Sequence, residues 1–196
     1  MSNMIKAMKK KSNGIPVGVV PIFEGILQKQ RDEMNQTDSS NIKCFEPEWD
    51  DEFCQAMNKY LTKEQRFQLY ETQGACNGTG ADNARRIFAY EHANLALDEK
   101  IELFAKTFGR HKPILNDDFT LTLKFKCSHG YYKHAKEGKY DAPPQHVEGY
   151  FERCAGGRLY ELQKALGIKL KIQSVDVSSL STNVTNPVTF TFEIVE

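Results

Sequence analysis

Apolar residues recur at helical spacing through the first half of the chain and at alternate positions in stretches of the second half. Val20, Phe23, Ile26 and Leu27 share one side of a helix predicted over 17–34, with Pro21 interrupting its early part. Residues 35–47, rich in Asn, Ser, Thr and Asp, read as a loop. Glu46, Glu48, Asp50, Asp51 and Glu52 open a helix that runs to about Tyr60, since acids there meet the positive end of the helix dipole. Thr62-Lys63-Glu64-Gln65 is a capping box and predicts a helix to about Gln73. Glycines at 74, 78 and 80 mark a break. Thr79 to Asp82 then has the form of another cap, ahead of a helix over Ala84 to Ala96. Leu97 to Phe108 gives one more helix, stopped by Gly109.

The period then falls to two. Phe119, Leu121, Leu123 and Phe125 alternate with Thr120, Thr122, Lys124 and Lys126, which predicts a half-buried strand. Lys112 to Leu115 is its hairpin partner across Asn116-Asp117-Asp118. Residues 128–144 read as a long loop closed by Pro143-Pro144. Gln145 to Leu166 is a helix with Val147, Phe151, Cys154, Leu159, Leu162 and Leu166 near one face, ended by Gly167. Ile168 to Val177 and Pro187 to Val195 are two further strands. The predicted class is α+β: a helical N-terminal half, then ββαββ, with an antiparallel sheet covered by helices on one face. The expected organisation is a flexible basic start over 1–14 and a single domain over 15–196, mainly helical over 15–109, with sheet and crossing helix over 110–196.

Composition narrows the function classes. In 196 residues, 26 Lys and Arg balance 26 Asp and Glu, which argues against a general phosphate-binding surface and hence against nucleic acid as a partner. The basic and aromatic run Tyr131-Tyr132-Lys133-His134-Ala135-Lys136 is the one local hint of RNA. No stretch approaches 18 uncharged apolar residues, so no membrane span is expected. The apolar run after Lys6 to Lys11 is interrupted by Pro16, Pro21 and Glu24, so no secretory signal is read. Five cysteines, an odd number without a Cys-x-x-Cys, fit a reduced cytoplasmic protein.

The candidate chemistry centres on Cys127. It continues the strand alternation, so its side chain is expected on the covered face, with His129 two residues on. Cys154 lies on the apolar face of the following helix, His146 two helical turns before it, and Tyr150 between them. Cys76, in the glycine-rich break, precedes a helix start that would stabilise a thiolate. These groups can be inert core cysteines, a reactive thiol with an imidazole base, or a partial zinc site made of Cys127, His129 and Cys154. Gly156-Gly157 in a helix interior predicts a close approach by a neighbouring backbone or a ligand, and the flanking Arg153 and Arg158 can receive a carboxylate.

Cys127-Ser128-His129-Gly130, Tyr150-Phe151-Glu152-Arg153-Cys154-Ala155-Gly156-Gly157-Arg158-Leu159-Tyr160, Leu166-Gly167-Ile168-Lys169-Leu170 and the final Val188-Thr189-Phe190-Thr191-Phe192-Glu193-Ile194 together form a recognisable layout. Over about residues 70–196 it resembles a bacterial family of proteins related to L-2-amino-thiazoline-4-carboxylic acid hydrolase, and the four-vinyl-reductase type of small-molecule-binding domain. The resemblance implies an α+β fold like that of nitric-oxide-signalling domains and Golgi transport particle subunits. It carries over Cys127, His129 and Cys154 as pocket residues, with Cys76 beside them. Where such domains often have a late cysteine before the last strand, this chain has Asn186-Pro187. The function expected is small-molecule binding in a pocket lined by Cys and His, with Cys76, His146, Tyr150 and Arg158 as ligand contacts. Its alternatives are a hydrolase acting on a small cyclic amide or thiazoline-type substrate, with Cys127, His129 and Cys154 as its working groups, and a subunit that docks to a partner through its N-terminal helices. The partners expected are a small-molecule ligand and, as a homodimer, a second copy of the chain.

Overall fold

The computed structural model describes residues 3–10, 14–36, 47–74, 79–109, 111–128 and 130–195. Among the described residues six α-helices come first: α1 (Asn3–Met8), α2 (Val20–Gln36), α3 (Pro47–Tyr60), α4 (Lys63–Tyr70), α5 (Thr79–Glu91) and α6 (Leu97–Phe108). Strands β1 (Ile114–Leu115) and β2 (Thr120–Phe125) follow as a hairpin, then α7 (Tyr131–Lys136), α8 (Val147–Leu166), β3 (Lys169–Asp176) and β4 (Val188–Val195). The strands make one antiparallel sheet in the order β1-β2-β4-β3. The fold class is α+β, as the change of hydrophobic period predicts.

Local chemistry accounts for most element ends. Pro21 sits in the first turn of α2, where its missing N–H would bond nothing inside the helix. The Thr62 side chain accepts the Gln65 amide, and the Gln65 side chain accepts the Thr62 amide at 3.0 Å, which completes the capping box at the start of α4. Gly109 and Gly167 end α6 and α8 in the left-handed region, at φ 56° and 69°. Several boundaries differ from the sequence reading: α4 ends at Tyr70 and α5 at Glu91, short of the Gln73 and Ala96 expected. α5 begins at Thr79 itself, within the segment read as its cap. The stretch 128–144 is not all loop: α7 forms inside it because Tyr131, Tyr132, His134 and Ala135 are buried, and tertiary packing overrides a segment with no apolar period. The basic start likewise contains α1, whose Ile5, Ala7 and Met8 are in the core.

α8 lies between two layers. On one side it packs on the sheet, where Phe151, Ala155, Leu159, Leu162 and Leu166 are buried with Leu121, Leu123, Phe190, Phe192 and Ile172. On the other it touches α3, α4, α5 and α6. A helix buried on both sides needs small residues where a neighbour comes close. A Cβ built on Gly149 would stand 3.1 Å from the Cys54 Cβ of α3, and one on Gly156 would stand 2.5 Å from the Tyr70 carbonyl oxygen at the end of α4. The Gln73 side-chain amide also donates to the Arg153 carbonyl beside that contact.

The same inner side carries two buried carboxylates. Glu152, wholly buried, takes a two-pronged ion pair from Arg66 of α4, at 2.7 Å from Nε and 2.8 Å from Nη2. The hydrogen bonds to Glu152 hold the Arg66 guanidinium above its ordinary pKa, against the opposing effect of burial. Glu161 accepts from Arg85 of α5 at 2.6 Å and pairs with Arg158, one turn before it, at 2.6 Å. Asp82 extends this cluster: it lies 3.6 Å from Arg85 and accepts from the Tyr160 hydroxyl at 2.7 Å.

The close approach at Gly156 is expected to be intolerant even of a methyl group. Gly156→Ala gains helix propensity but must push the Tyr70 backbone away, so a net loss of about 1–3 kcal/mol is expected in a urea titration. An unchanged midpoint would mean that α4 is not seated on α8 as described.

Candidate functional site

The C-terminal end of β2 and the helices facing it gather most of the residues singled out by the sequence. Phe125, the last residue of β2, stacks on Phe190 of β4 at 5.0 Å between centroids and meets Phe151 of α8 edge-on at 6.4 Å. Cys127 follows two residues later, half-buried against the core. The strand ends before it, so its placement comes from the turn that follows and not from continued pleating.

That turn is fixed by two tyrosines. Gly130 has φ 53°, and a Cβ there would stand 2.2 Å from the Tyr150 hydroxyl oxygen, so glycine is demanded by both backbone and space. The Tyr150 hydroxyl accepts the Tyr131 amide at 3.2 Å. The Tyr132 hydroxyl is placed to donate to the carbonyls of Phe125, at 3.1 Å, and Asn186, at 2.9 Å, and it accepts the Val188 amide at 3.1 Å. One phenol thus ties the end of β2 to the start of β4. Burial pushes the Tyr132 hydroxyl well above the usual phenol pKa, and Cys127 and Cys154 add to the rise. Both thiols therefore lie within electrostatic range of that oxygen.

Arg158, one turn after Cys154, holds its guanidinium 5.7 Å from the Phe125 ring centre while paired to Glu161. It is mostly buried and not the solvated residue its type suggests. His146 stands half-buried at the N-terminal end of α8. His129 and Cys76 lie outside the described residues. Among the described residues no three His, Cys, Asp or Glu side chains gather as metal ligands do. Cys54, which the sequence reading left aside, is buried in α3 against Gly149.

The residues that sequence reasoning missed are Tyr131 and Tyr132. Their run was read for its basic character, whereas the structure places both rings in the core, away from any surface where a base would stack. Tyr131 is only 2% exposed; it stacks on Tyr140 at 5.2 Å and meets Tyr132 and Phe151 edge-on. Its hydroxyl is buried with no hydrogen-bond partner among the described residues. Desolvation raises its pKa, so it stays a neutral donor across the working range of pH. The signal available in the sequence was the pair of adjacent tyrosines directly after the strand exit.

No family model matches the chain, and neither a curated protein nor a solved structure shows significant similarity to it.

Because Tyr132 closes three backbone contacts from one oxygen, Tyr132→Phe leaves the buried Val188 amide without its acceptor. A loss of about 1–3 kcal/mol is expected in thermal or denaturant unfolding. A stability equal to that of the parent would show that the hydroxyl does not join β2 to β4.

Proposed function

We propose that this domain binds a small molecule at the end of β2, against Cys127, Cys154 and the Tyr131–Tyr132 pair. The observation that carries the reading is the Tyr131 hydroxyl: a buried donor without a protein partner among the described residues, set in a cluster of rings next to Tyr132, whose own hydroxyl feels the Cys127 and Cys154 thiols. An unmet buried donor costs about 1–3 kcal/mol, and a ligand acceptor would relieve it. Rings with a few polar groups are what small-molecule sites are made of. The resemblance of the Cys127 and Cys154 segments to the four-vinyl-reductase type of domain points the same way. Tyr150 and Arg158 supply the frame in this reading, Tyr150 by seating Gly130 and Arg158 by lying over Phe125.

The second reading is a hydrolase acting on a small cyclic amide or thiazoline, with Cys127 as nucleophile. The half-buried thiols of Cys127 and Cys154, each within electrostatic range of the Tyr132 hydroxyl, support it, and it requires one of them to be activated. The third, docking of a partner through residues 15–35, has less surface to use: Val20, Phe23 and Ile26 pack inside the domain, while Val17 and Ile22 stay exposed.

Native mass spectrometry and a fragment screen by thermal shift, run on the parent and on Tyr131→Phe, test the binding reading. A retained mass or a stabilising fragment is expected in the parent and is expected to be lost or much weaker in the variant. Absence of both in the parent, or equal binding by the variant, overturns it. Iodoacetamide separates the two chemistries. Labelling of Cys127 well below the unperturbed thiol pKa of about 8.5 supports the hydrolase, and slow labelling of every thiol removes it.

A further inference from the structure

The two edges of the sheet are finished differently. The outer side of β3 is occupied by side chains: the Leu170 amide donates to Gln163 Oε1 at 2.8 Å and the Ile172 amide to Glu71 Oε1 at 2.7 Å. Burial pushes the Glu71 carboxyl up while the Ile172 amide pulls it down, so this carboxylate is committed to the edge at some cost. A strand approaching β3 would have to displace both side chains.

β1 is the other edge. The Asn116 amide donates to the Thr120 carbonyl at 2.9 Å, and Ile114 and Leu115 stand opposite Thr122 and Leu121. Hydrogen-bonded pairs alternate along an antiparallel ladder, so Ile114 bonds inward and the N–H and C=O of Leu115 point out from the open edge. The side chains around them are apolar and exposed: Ile114 at 54%, Leu115 at 37% and Phe119 at 75%. Phe119 also has φ 59°, an unfavourable conformation for a bulky residue, held where its ring projects into solvent at the hairpin tip.

We propose that the β1 edge pairs with the β1 edge of a second copy, across a two-fold axis at Leu115, joining two four-stranded sheets into one. A second copy fits because the edge is self-complementary in the register its backbone allows. The two Leu115 residues exchange both of their outward hydrogen bonds. The next outward position, Pro113, has no N–H, so pairing centred there is unavailable. In the Leu115 register each Lys112, which pairs with Glu102 in its own chain, reaches the turn that carries Asp117 and Asp118 of the other copy. Isologous contacts of this kind close after two subunits. The strand is short, so the dimer is a weak one that forms with concentration.

Sedimentation velocity at up to about 0.1 mM protein is the test. The parent is expected to shift from one to two chain masses as concentration rises. Leu115→Asp and Leu115→Lys each place like charges face to face on the axis and are expected to weaken the dimer about fivefold or more. An equimolar mixture of the two variants is expected to recover it, because opposite charges then meet at the same point. That recovery also shows that both variants are folded. A parent that stays monomeric, its edge left to a strand of some other protein, overturns the proposal. So does a dimer that persists equally in both variants, or a mixture that does not recover.

Discussion

The fold depends on how α8 buries two carboxylates. Glu152 and Glu161 sit on a helix that is covered by the sheet on one side and by the N-terminal helices on the other. An unpaired carboxylate in such a place costs several kcal/mol, so each needs a cation delivered to it. Arg66 comes from α4 and Arg85 from α5, and Arg158 from α8 itself supports Glu161. The requirement fixes where α4 and α5 lie along α8. Gly149 and Gly156 then allow α3 and α4 to come close enough for the Arg66 pair to form.

The same placement serves the candidate site. With α8 held between its layers, Phe151 and Arg158 meet Phe125 at the end of β2, with Cys127 two residues further on. Tyr132 and Tyr150 lock the intervening turn through hydroxyl groups that bond only to backbone in the contacts described above. Cys127 arrives next to this frame, and within it the Tyr131 hydroxyl has no acceptor among the described residues.

Much of the architecture was legible in the sequence because it is written as period. The Leu121–Leu123–Phe125 alternation and the Val188–Phe190–Phe192 alternation gave both central strands, and the Thr62 box and Gly109 gave helix ends. Gly156 was legible as a close contact, although its neighbour, the Tyr70 backbone, was not. α7 escaped notice because six residues with no apolar period are held by long-range ring packing. The buried roles of Glu152, Glu161 and Arg158 were hidden for a related reason. A charged residue on an amphipathic helix reads as solvated unless a second layer is known to cover it, and nothing local announces that layer. Of the candidate site, Cys154 could be placed on the α8 helix from its period, whereas the position of Cys127 beyond the end of β2 and the importance of Tyr131 and Tyr132 came from the turn geometry after that strand.

The most direct measurement is a double-mutant cycle on Arg66 and Glu152, with each replaced by Met singly and together and stability read by denaturant unfolding. Each single replacement strands a buried charge and is expected to cost about 3–5 kcal/mol, while the double variant, with no charge left unpaired, is expected to be no less stable than either single one. Losses that simply add would contradict the account, because they would mean that the ion pair does not hold α4 against α8.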